Sequence, residues 1–366
     1  MSKKTIAAFG EVMLRLSPPG KQRFAQCFPG ELSATFGGGE ANVCASLAIL
    51  GGNNVRYLTA LPDNPVSRAF ETELRGLGAD TSGILWSGRG RMGVYYAEHG
   101  SGQRGSSVVY DRDGSTISML GADEYDFNSM LDDVDHLHIT GITPSLSENA
   151  YLVTLKLVET ASAKGCIVSC DLNYRKKLWN WGTVRKKGEL AAECMEKIVQ
   201  YADWVICNEE DASDVFGINA SETDIYSGKI NAAGYISVAE QLMAKFPRLS
   251  KVAITLRESI SADHNNWGAM LFERDNGAFF APLDTDGNYK PYEIRNIVDR
   301  FGGGDSFGAG LIHALYSDEY SDGQSAIRFA VAASCLKHSV YGDYNYNSRK
   351  EVENLMQGSG SGRVAR

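Results

Sequence analysis

The residues best suited to chemistry lie in one short segment, RNIVDRFGGGDSFGAGLIHAL at 295–315. Three consecutive glycines, Gly302 to Gly304, are followed at once by Asp305 and then by an apolar run with helical spacing. A glycine-rich turn entering a helix presents unpaired N–H groups at the positive end of the helix dipole, which attracts anions. Because a carboxylate would repel phosphate, we interpret Asp305 as a base that deprotonates a nucleophile attacking the anion. The alternative is a turn with Asp305 as helix cap.

A second glycine-rich segment, FGGGEAN at 36–42, precedes another apolar helical pattern. Gly37 and Gly38 would let the backbone approach a ligand closely, and the Asn42 side chain both donates and accepts hydrogen bonds. We therefore predict that this segment binds the hydroxyl groups of the substrate. A loop that only connects a strand to a helix is the alternative.

Two polar segments follow strand-like runs further along the chain. Asn173 and Arg175 lie in DLNYRKKLW, and Asn208 and Asp211 lie in NEED. Arginine offers a bidentate grip on carboxylate or phosphate, so we assign Arg175 to the substrate and Asn173 to the nucleotide side. NEED suits a Mg²⁺ and water network near nucleotide phosphates, with Asp211 reaching the metal directly or through water. The alternatives are a surface salt bridge and an acidic helix cap.

Residues 84–120 differ in character from the rest of the chain. Alternation in GVYYAEHG and SSVVYDR predicts a hairpin-like β element that carries Tyr95, Tyr110 and Arg112. We predict that these three side chains contact the substrate, although aromatic residues on strands often only pack. The turn-rich stretch 11–36 adds short strands to this small β layer.

The remaining chain alternates apolar strands with helical patterns. TIAAF, VRYLTAL, HLHITG, IVSCDLN, WVICNEED and VAITLR all resemble buried strands. This alternation predicts an α/β fold whose mostly parallel sheet is covered on both faces by helices. Ligands of such sheets bind beyond the carboxyl ends of the strands, where all four motif segments fall. Their shared position predicts a single site.

Composition restricts the partners that are plausible. The net charge of −9 argues against nucleic acid or an anionic membrane as partner. No run approaches the roughly 20 apolar residues that span a bilayer, and MSKKTIAAF is typical of a strand, not of a signal peptide. Seven scattered cysteines without a CxxC pair indicate a reduced, cytoplasmic protein. We expect the glycine- and serine-rich tail, 358–366, to be disordered.

With these motifs identified, the chain resembles the PfkB (ribokinase-like) family of carbohydrate kinases over nearly its whole length. The resemblance is carried by the GG…N segment, by the N-x-x-E-like NEED segment and by the signature D-x-x-G-x-G-D, here Asp299 to Asp305. Within the family, GEVMLRLSPPG, GGGEANV, GVYY, YDR and DLNYRKKLW are most similar to segments of 2-keto-3-deoxygluconate kinases.

The resemblance implies a ribokinase-like three-layer αβα sandwich. Residues 1–357 would form one kinase domain, with a β-sheet lid from about 11–36 and 84–118. The implied reaction is ATP-dependent phosphorylation of the C6 hydroxyl of 2-keto-3-deoxygluconate, a sugar acid. Fructokinase or another ketose or sugar-acid kinase is the alternative, and we expect a homodimer or a higher homo-oligomer formed through the lid.

The resemblance also implies roles for single residues. Asp305 would be the catalytic base, and Gly302 to Gly304 the anion hole, with contacts to the nucleotide as well. Thr255 would contact the nucleotide, and Asp299 would lie near a monovalent cation such as K⁺. ATP and Mg²⁺ are the implied cofactors.

The chain departs from the family pattern on the nucleotide side. Thr255-Leu256-Arg257 stands where the usual sequence is T-L-G, and RESISADHNNW follows as an apparent insertion. The signature reads DRFGGGD where many members have DTTGAGD. Two rival classes fit less well: a nicotinamide oxidoreductase would need a glycine fingerprint after its first strand, and a non-catalytic sugar-binding protein would not need Asp305.

Overall fold

A computed structural model of the chain describes residues 3–181, 187–208, 210–219 and 232–358. In this part of the chain the strands form one large and one small sheet. They are β1 (Thr5–Phe9), β2 (Met13–Ser17), β3 (Ser33–Gly37), β4 (Asn54–Pro62), β5 (Ile84–Ser87), β6 (Gly93–Glu98), β7 (Ser107–Asp111), β8 (His136–Thr140), β9 (Ile167–Asp171), β10 (Trp204–Asn208), β11 (Lys251–Ser261), β12 (His264–Glu273), β13 (Gly277–Ala281) and β14 (Tyr292–Arg295).

Some helices begin at a residue whose side chain caps the first turn. The Asn64 side chain accepts hydrogen bonds from the first-turn amides of the helix Pro65–Gly76, and Asp322 and Ser348 each accept one in the helices Gly323–Lys337 and Arg349–Met356. The α-helices are α1 (Phe24–Cys27), α2 (Gly39–Leu50), α3 (Pro65–Gly76), α4 (Thr116–Met119), α5 (Phe127–Met130), α6 (Glu148–Ala163), α7 (Lys187–Val199), α8 (Asp211–Phe216), α9 (Ala232–Lys245), α10 (Gly303–Leu315), α11 (Gly323–Lys337) and α12 (Arg349–Met356).

The large sheet has the strand order β13-β12-β11-β10-β9-β8-β1-β4-β5, and β14 pairs with β12. All strands from β11 to β5 in this order run parallel. The β11–β12, β12–β13 and β12–β14 pairs are antiparallel. The chain builds outward in both directions from β1, so the sheet has a switch point beside β1, where a ligand crevice is expected. The predicted mostly parallel sheet is confirmed.

Helices cover both faces of the large sheet. Along β1, Ala7 and Phe9 pack into a buried cluster with residues of α6, α7 and α9, whereas Ile6 and Ala8 pack on the opposite face with residues of α2, α3 and α10. All four β1 side chains are completely buried. This alternation produces the three-layer αβα arrangement that the sequence predicted.

The small sheet has the order β3-β2-β6-β7. Its β2–β3 and β6–β7 pairs are antiparallel, and its central β2–β6 pair is parallel. One predicted boundary is wrong: residues 84–87 form β5, which pairs in parallel with β4 in the large sheet. These residues follow α3, so they complete a β-α-β crossover and do not begin the small layer.

Two further expectations concern the ends of elements. The helix expected after the segment 36–42 begins within it, because β3 ends at Gly37 and α2 begins at Gly39. Of the tail predicted to be disordered, only Gly358 lies within the described residues. Among these residues, no helix has the length and apolar character needed to cross a membrane.

Candidate active site

Two polar cavities meet at Asp305. The larger cavity, of about 250 Å³, is lined by Gly302 to Gly304, which we call the glycine loop, by the end of β10 and by the middle of β11. The smaller cavity, of about 120 Å³, lies against β6 and the start of α2. Both cavities are lined by Asn173, Arg175, Phe301, Gly302 and Asp305.

The structure separates the predicted site residues into two groups. The predicted substrate residues on the smaller cavity are Gly38, Asn42, Tyr95, Tyr110, Arg112, Arg175 and Asp305. The predicted nucleotide and metal residues on the larger cavity are Asn173, Asn208, Asp211, Thr255 and Gly302 to Gly304. Two predicted residues, Gly37 and Asp299, line neither cavity. Their predicted contacts with ligands stay predictions.

The structure gives a different reason for glycine at each of the three consecutive positions at the start of α10. Gly302 has a φ of +76°, and a Cβ there would lie 2.0 Å from the carbonyl oxygen of Asp343. A Cβ on Gly303 would lie 3.1 Å from the His338 ring, whereas Gly304 faces open space. Ligand approach, the predicted reason for all three, therefore applies most directly to Gly304, because protein packing already restricts the other two.

Asp305 lies in the first turn of α10 and is partly exposed. The Asn42 Nδ2 donates a hydrogen bond of 2.6 Å to Asp305 Oδ2. Burial raises the pKa of Asp305 to about 6, against the Asn42 hydrogen bond and the charge of Arg175, which lower it. The carboxylate is thus mostly ionised near neutral pH and is suited to accept a proton.

Asn42 and the adjacent glycines support Asp305 as well as lining the cavity. The Asn42 Oδ1 accepts from the Gly38 amide at 3.3 Å, so both ends of this side chain have protein partners. Gly38 must be small, because a Cβ would lie 2.1 Å from the carbonyl oxygen of Glu11. A Cβ on Gly37 would lie 2.4 Å from Asp343 Oδ2. Packing against Asp343 therefore requires a glycine at position 37, and the predicted contact of Gly37 with substrate stays a prediction.

The small sheet brings three predicted residues to the smaller cavity. Tyr95 is buried, and its hydroxyl donates to Asp343 Oδ2 at 2.6 Å. Arg112 is buried in an ion pair with Glu11. Tyr110 is 42 % exposed, with the Arg112 guanidinium 5.3 Å from its ring centre. Sequence reasoning missed Glu11 and Asp343.

Arg175 is the arginine with the fewest protein partners at the junction of the cavities. It is exposed, and its guanidinium donates to the carbonyl oxygen of Tyr174 at 3.1 Å. No ion pair involving Arg175 occurs within the described part of the chain. Because Arg112 is already paired, Arg175 is the cation more available to an anionic ligand.

On the larger cavity, the side chains of Asn208 and Asp211 each accept a hydrogen bond from the backbone amide of the other residue. The Asp211 oxygens accept from the amides of Tyr174 and Asn208 at 3.0 Å each, and Asn208 Oδ1 accepts from the Asp211 amide at 2.9 Å. Burial raises the pKa of Asp211. Glu209 of the NEED segment lies outside the described residues. The structure thus gives Asp211 a capping role, and its predicted contact with Mg²⁺ stays a prediction.

Asp171 is a second carboxylate of the larger cavity that sequence reasoning did not assign. Burial, with the nearby charge of Asp211, raises the pKa of Asp171 far above its ordinary value. Two carboxylates held close together favour a cation between them or nearby, so this pair fits a hydrated Mg²⁺ ion. No group of three or more metal-binding side chains occurs among the residues that the structure describes.

Asp299 belongs to a buried network that joins the small sheet to the glycine loop. Arg15 of β2 is completely buried, and its guanidinium bridges Asp299 Oδ2 at 2.8 Å and Asp343 Oδ1 at 2.7 Å. The Asp299 oxygens also accept from the amides of Phe301 and Gly342, at 3.1 Å each. These partners occupy Asp299, and the predicted neighbouring K⁺ stays a prediction.

An α/β fold in which a carboxylate and a glycine-rich helix start separate two polar cavities is typical of enzymes that transfer a phosphoryl group to a hydroxyl group. Comparison with known proteins narrows this class. A model of the "pfkB family carbohydrate kinase" matches residues 3–256. The chain therefore belongs to the PfkB family of carbohydrate kinases.

Relatives with similar sequences include sugar-acid kinases. The chain is 28 % identical to a 2-dehydro-3-deoxygalactonokinase of Haloferax volcanii, covering 98 % of each chain. It is 27 % identical to a 2-dehydro-3-deoxygluconokinase of Thermoproteus tenax, covering 96 % of this chain and 94 % of that one. The crystal structure of a 2-dehydro-3-deoxygluconokinase from Thermotoga maritima is 40 % identical, with a TM-score of 0.86, over 97 % of this chain and 100 % of that chain.

Proposed function

We propose that this sugar kinase transfers the γ-phosphoryl group of ATP to the C6 hydroxyl of 2-keto-3-deoxygluconate, giving 2-keto-3-deoxy-6-phosphogluconate and ADP. The observation that carries the proposal is the position of Asp305, which lines both cavities. A hydroxyl in the smaller cavity and a phosphate in the larger one would meet at this carboxylate. Residues 1–357 are proposed to act as one kinase domain with the small sheet as lid.

In the proposed mechanism, Asp305 accepts the proton of the C6 hydroxyl as its oxygen attacks the γ-phosphorus in line. A positioned base contributes about 10²–10⁴-fold to the rate. The backbone amides of 302–304 stabilise the charge that develops on the transferring group, and positioning supplies most of the remainder. Asn42 orients the carboxylate, and the small sheet excludes water from the attacked phosphate.

The metal is proposed to act on the nucleotide side. Asp171 and Asp211 would hold a hydrated Mg²⁺, which neutralises charge on the ATP oxygens when bound. Their mutual repulsion supports this assignment, because a cation relieves it. K⁺ near Asp299 is retained as part of the proposal.

The sugar-acid part of the proposal is supported by Arg175 at the smaller cavity and by the names of the relatives. Arg112 and Arg175 both line that cavity, and Arg175 lacks a carboxylate partner in the described structure. Two alternatives have specific support: the 4-epimer 2-keto-3-deoxygalactonate, from the Haloferax volcanii relative, and fructose, from a 24 % identical Klebsiella pneumoniae fructokinase.

A coupled assay of ADP release distinguishes these substrates. The purified protein is given ATP and Mg²⁺ with 2-keto-3-deoxygluconate, 2-keto-3-deoxygalactonate, fructose, ribose or tagatose in turn. The proposal expects 2-keto-3-deoxygluconate to have the highest kcat/KM and to give a product phosphorylated at C6. If fructose has the higher kcat/KM, the protein is assigned to the alternative, and ADP release independent of any sugar would contradict kinase function.

The small sheet is also the proposed surface for a homodimer. Its outer strand, β7, is largely exposed, and Val109 is 61 % exposed. Sedimentation velocity of wild-type protein and of a Val109→Lys variant tests this pairing. A dimer that is unchanged in the variant would locate the interface elsewhere.

A further inference from the structure

The apparent insertion after Thr255 is a long β-hairpin that extends beyond the large sheet. The inner half of β11, from Lys251 to Thr255, pairs with β10, while the outer half of the hairpin pairs with β14. At the tip, Asp263 forms an ion pair of 2.5 Å with Lys21 and accepts from the Gly102 amide at 2.6 Å. The hairpin thus runs along the larger cavity and reaches the small-sheet side of the protein.

The hairpin places two arginines on the larger cavity. Arg257 lies on β11 opposite Trp267, and Arg300 lies in the loop that leads to Gly302. The Arg300 Nη2 donates to main-chain oxygens of the hairpin tip, Ala262 at 3.1 Å and Ser261 at 3.4 Å. Its Nε is buried and has no hydrogen-bond partner. One end of Arg300 is therefore fixed by the hairpin while another donor remains unused.

Neither guanidinium is neutralised by an ion pair. Arg257 is exposed and forms no ion pair or side-chain hydrogen bond within the described residues, and the hydrogen-bond partners of Arg300 there are uncharged oxygens. Burial and the charge of Arg257 both lower the pKa of Arg300, and the charges of Asp263 and Asp299 offset this only in part. Two unpaired like charges beside each other repel, and an anion that contacts both would relieve that repulsion.

We propose that Arg257 and Arg300 form a clamp for the phosphate groups of the donor nucleotide. The clamp lies on the same cavity as the glycine loop, and guanidinium groups bind phosphate through paired hydrogen bonds. Arg257 stands where the usual family sequence T-L-G has its glycine. A glycine can offer a ligand only its backbone, whereas Arg257 adds a positively charged side chain. The inference rests on the proposed use of a nucleotide donor, but not on the identity of the sugar.

The test is direct binding without sugar, measured by calorimetry with ATP, ADP, AMP and inorganic tripolyphosphate. The variants are Arg257→Gln, Arg300→Gln, their combination and the charge-preserving Arg300→Lys. Arg295→Gln is the control, because Arg295 is an exposed arginine of the neighbouring β14 that pairs with Glu293 and lines neither cavity. Circular dichroism confirms that each variant is folded.

We expect each Gln variant to weaken ATP binding by about ten- to a hundredfold, because one charge-assisted contact is lost. AMP binding should change by less than about twofold, since AMP lacks the outer phosphates, and Arg300→Lys should recover part of the ATP affinity. Tripolyphosphate should displace ATP from the wild type. If the Arg300 variants lose as much affinity for AMP as for ATP, Arg300 only supports the hairpin and does not bind the outer phosphates. If the affinity for ATP is unchanged in all variants, neither arginine binds the nucleotide.

Failure of the clamp can be distinguished from failure of the proposed function. A different preferred sugar in the ADP-release assay overturns the substrate but leaves the loss of ATP affinity in the arginine variants intact. Conversely, confirmed phosphorylation of 2-keto-3-deoxygluconate with normal ATP affinity in the double variant overturns only the clamp. A wild type that binds neither ATP nor tripolyphosphate overturns the clamp outright.

Discussion

At the scale of single residues, Asp305 combines two requirements that oppose each other. It must be ionised to accept a proton, yet it lies beside the glycines of the predicted anion site and is only partly exposed to water. Asn42 and Arg175 stabilise the ionised form, which explains how a carboxylate can remain a base there. Asp305→Asn should therefore retain ATP binding and lower kcat by about 10²–10⁴-fold. Calorimetry and the ADP-release assay check this, and an unchanged kcat would exclude Asp305 as the base.

The pH dependence of turnover should report the same carboxylate. Because only ionised Asp305 accepts the proton, kcat/KM should fall as pH decreases through about 6, the raised pKa of this group. Asn42→Ala removes a hydrogen bond that lowers this pKa, so the acid limb should move to higher pH. Ser46→Ala, one turn further along α2, is the control, and an unmoved limb in Asn42→Ala would contradict the assignment.

The two arginines of the smaller cavity should differ in their effect on sugar acids. Arg175→Gln should raise KM by about ten- to a hundredfold when the sugar acid is the substrate, and much less when fructose is. Arg112→Ala should also weaken the acid more than the neutral ketose, although loss of Arg112 leaves Glu11 buried without its partner. Lys176→Gln, at an exposed neighbour of Arg175, is the control. Equal effects on both sugars would exclude an arginine as carboxylate ligand.

Residue types with distinctive spacing could be predicted from the sequence, whereas their partners could not. GGGD and GG…N are recognisable locally, and the structure brings Asp305 and Asn42 into direct contact. Glu11 pairs with Arg112 across 101 residues, and Tyr95 binds Asp343 across 248 residues. Such pairs depend on strand order in two sheets, which a single sequence does not specify, so Glu11 and Asp343 carried no recognisable signal.

At the scale of elements, β2 is attached to the glycine loop through Arg15. Arg15→Met would leave Asp299 and Asp343 buried without their shared cation, which should lower the free energy of unfolding by about 3–5 kcal/mol. Adding Asp299→Asn should restore part of that loss, because one uncompensated charge disappears. Urea denaturation measures both. A single variant as stable as the wild type would show that the carboxylates do not need this guanidinium.

Strands and helices with a strong apolar pattern could be predicted from the sequence. Elements whose place depends on which strands pair with each other could not. The buried strands and α3 follow from apolar runs, proline and glycine positions, because these signals act locally. β5 was placed in the wrong layer, since its four residues carry no pattern that distinguishes one sheet edge from another. The hairpin of β11 and β12 was recognised in the sequence only as an apparent insertion, because its outer half has little apolar alternation and is ordered by β14 and Lys21.

At the scale of the whole molecule, an acidic protein with a net charge of −9 places arginines among the carboxylates that line its two cavities. Arg175 and Arg257 lie at the cavities without ion-pair partners in the described structure, whereas arginines elsewhere on the surface, such as Arg56, Arg68 and Arg91, are paired with carboxylates. Backbone amides at the start of α10 add to this local field. Overall charge thus argues against extended anions as partners, whereas binding of a small anion depends on individual arginines and backbone amides.

The shared wall of the two cavities predicts that sugar and nucleotide bind cooperatively. Asn173, Arg175 and Phe301 contact both cavities, so ordering them for one ligand leaves less to be ordered for the other. In Asp305→Asn, whose turnover should be slow, saturating sugar acid should increase the affinity for ATP by about five- to a hundredfold. Saturating ATP must then increase the affinity for the sugar acid by the same factor, which calorimetry can measure in both directions. Independent binding of the two ligands would show that the shared residues are already ordered in the free enzyme.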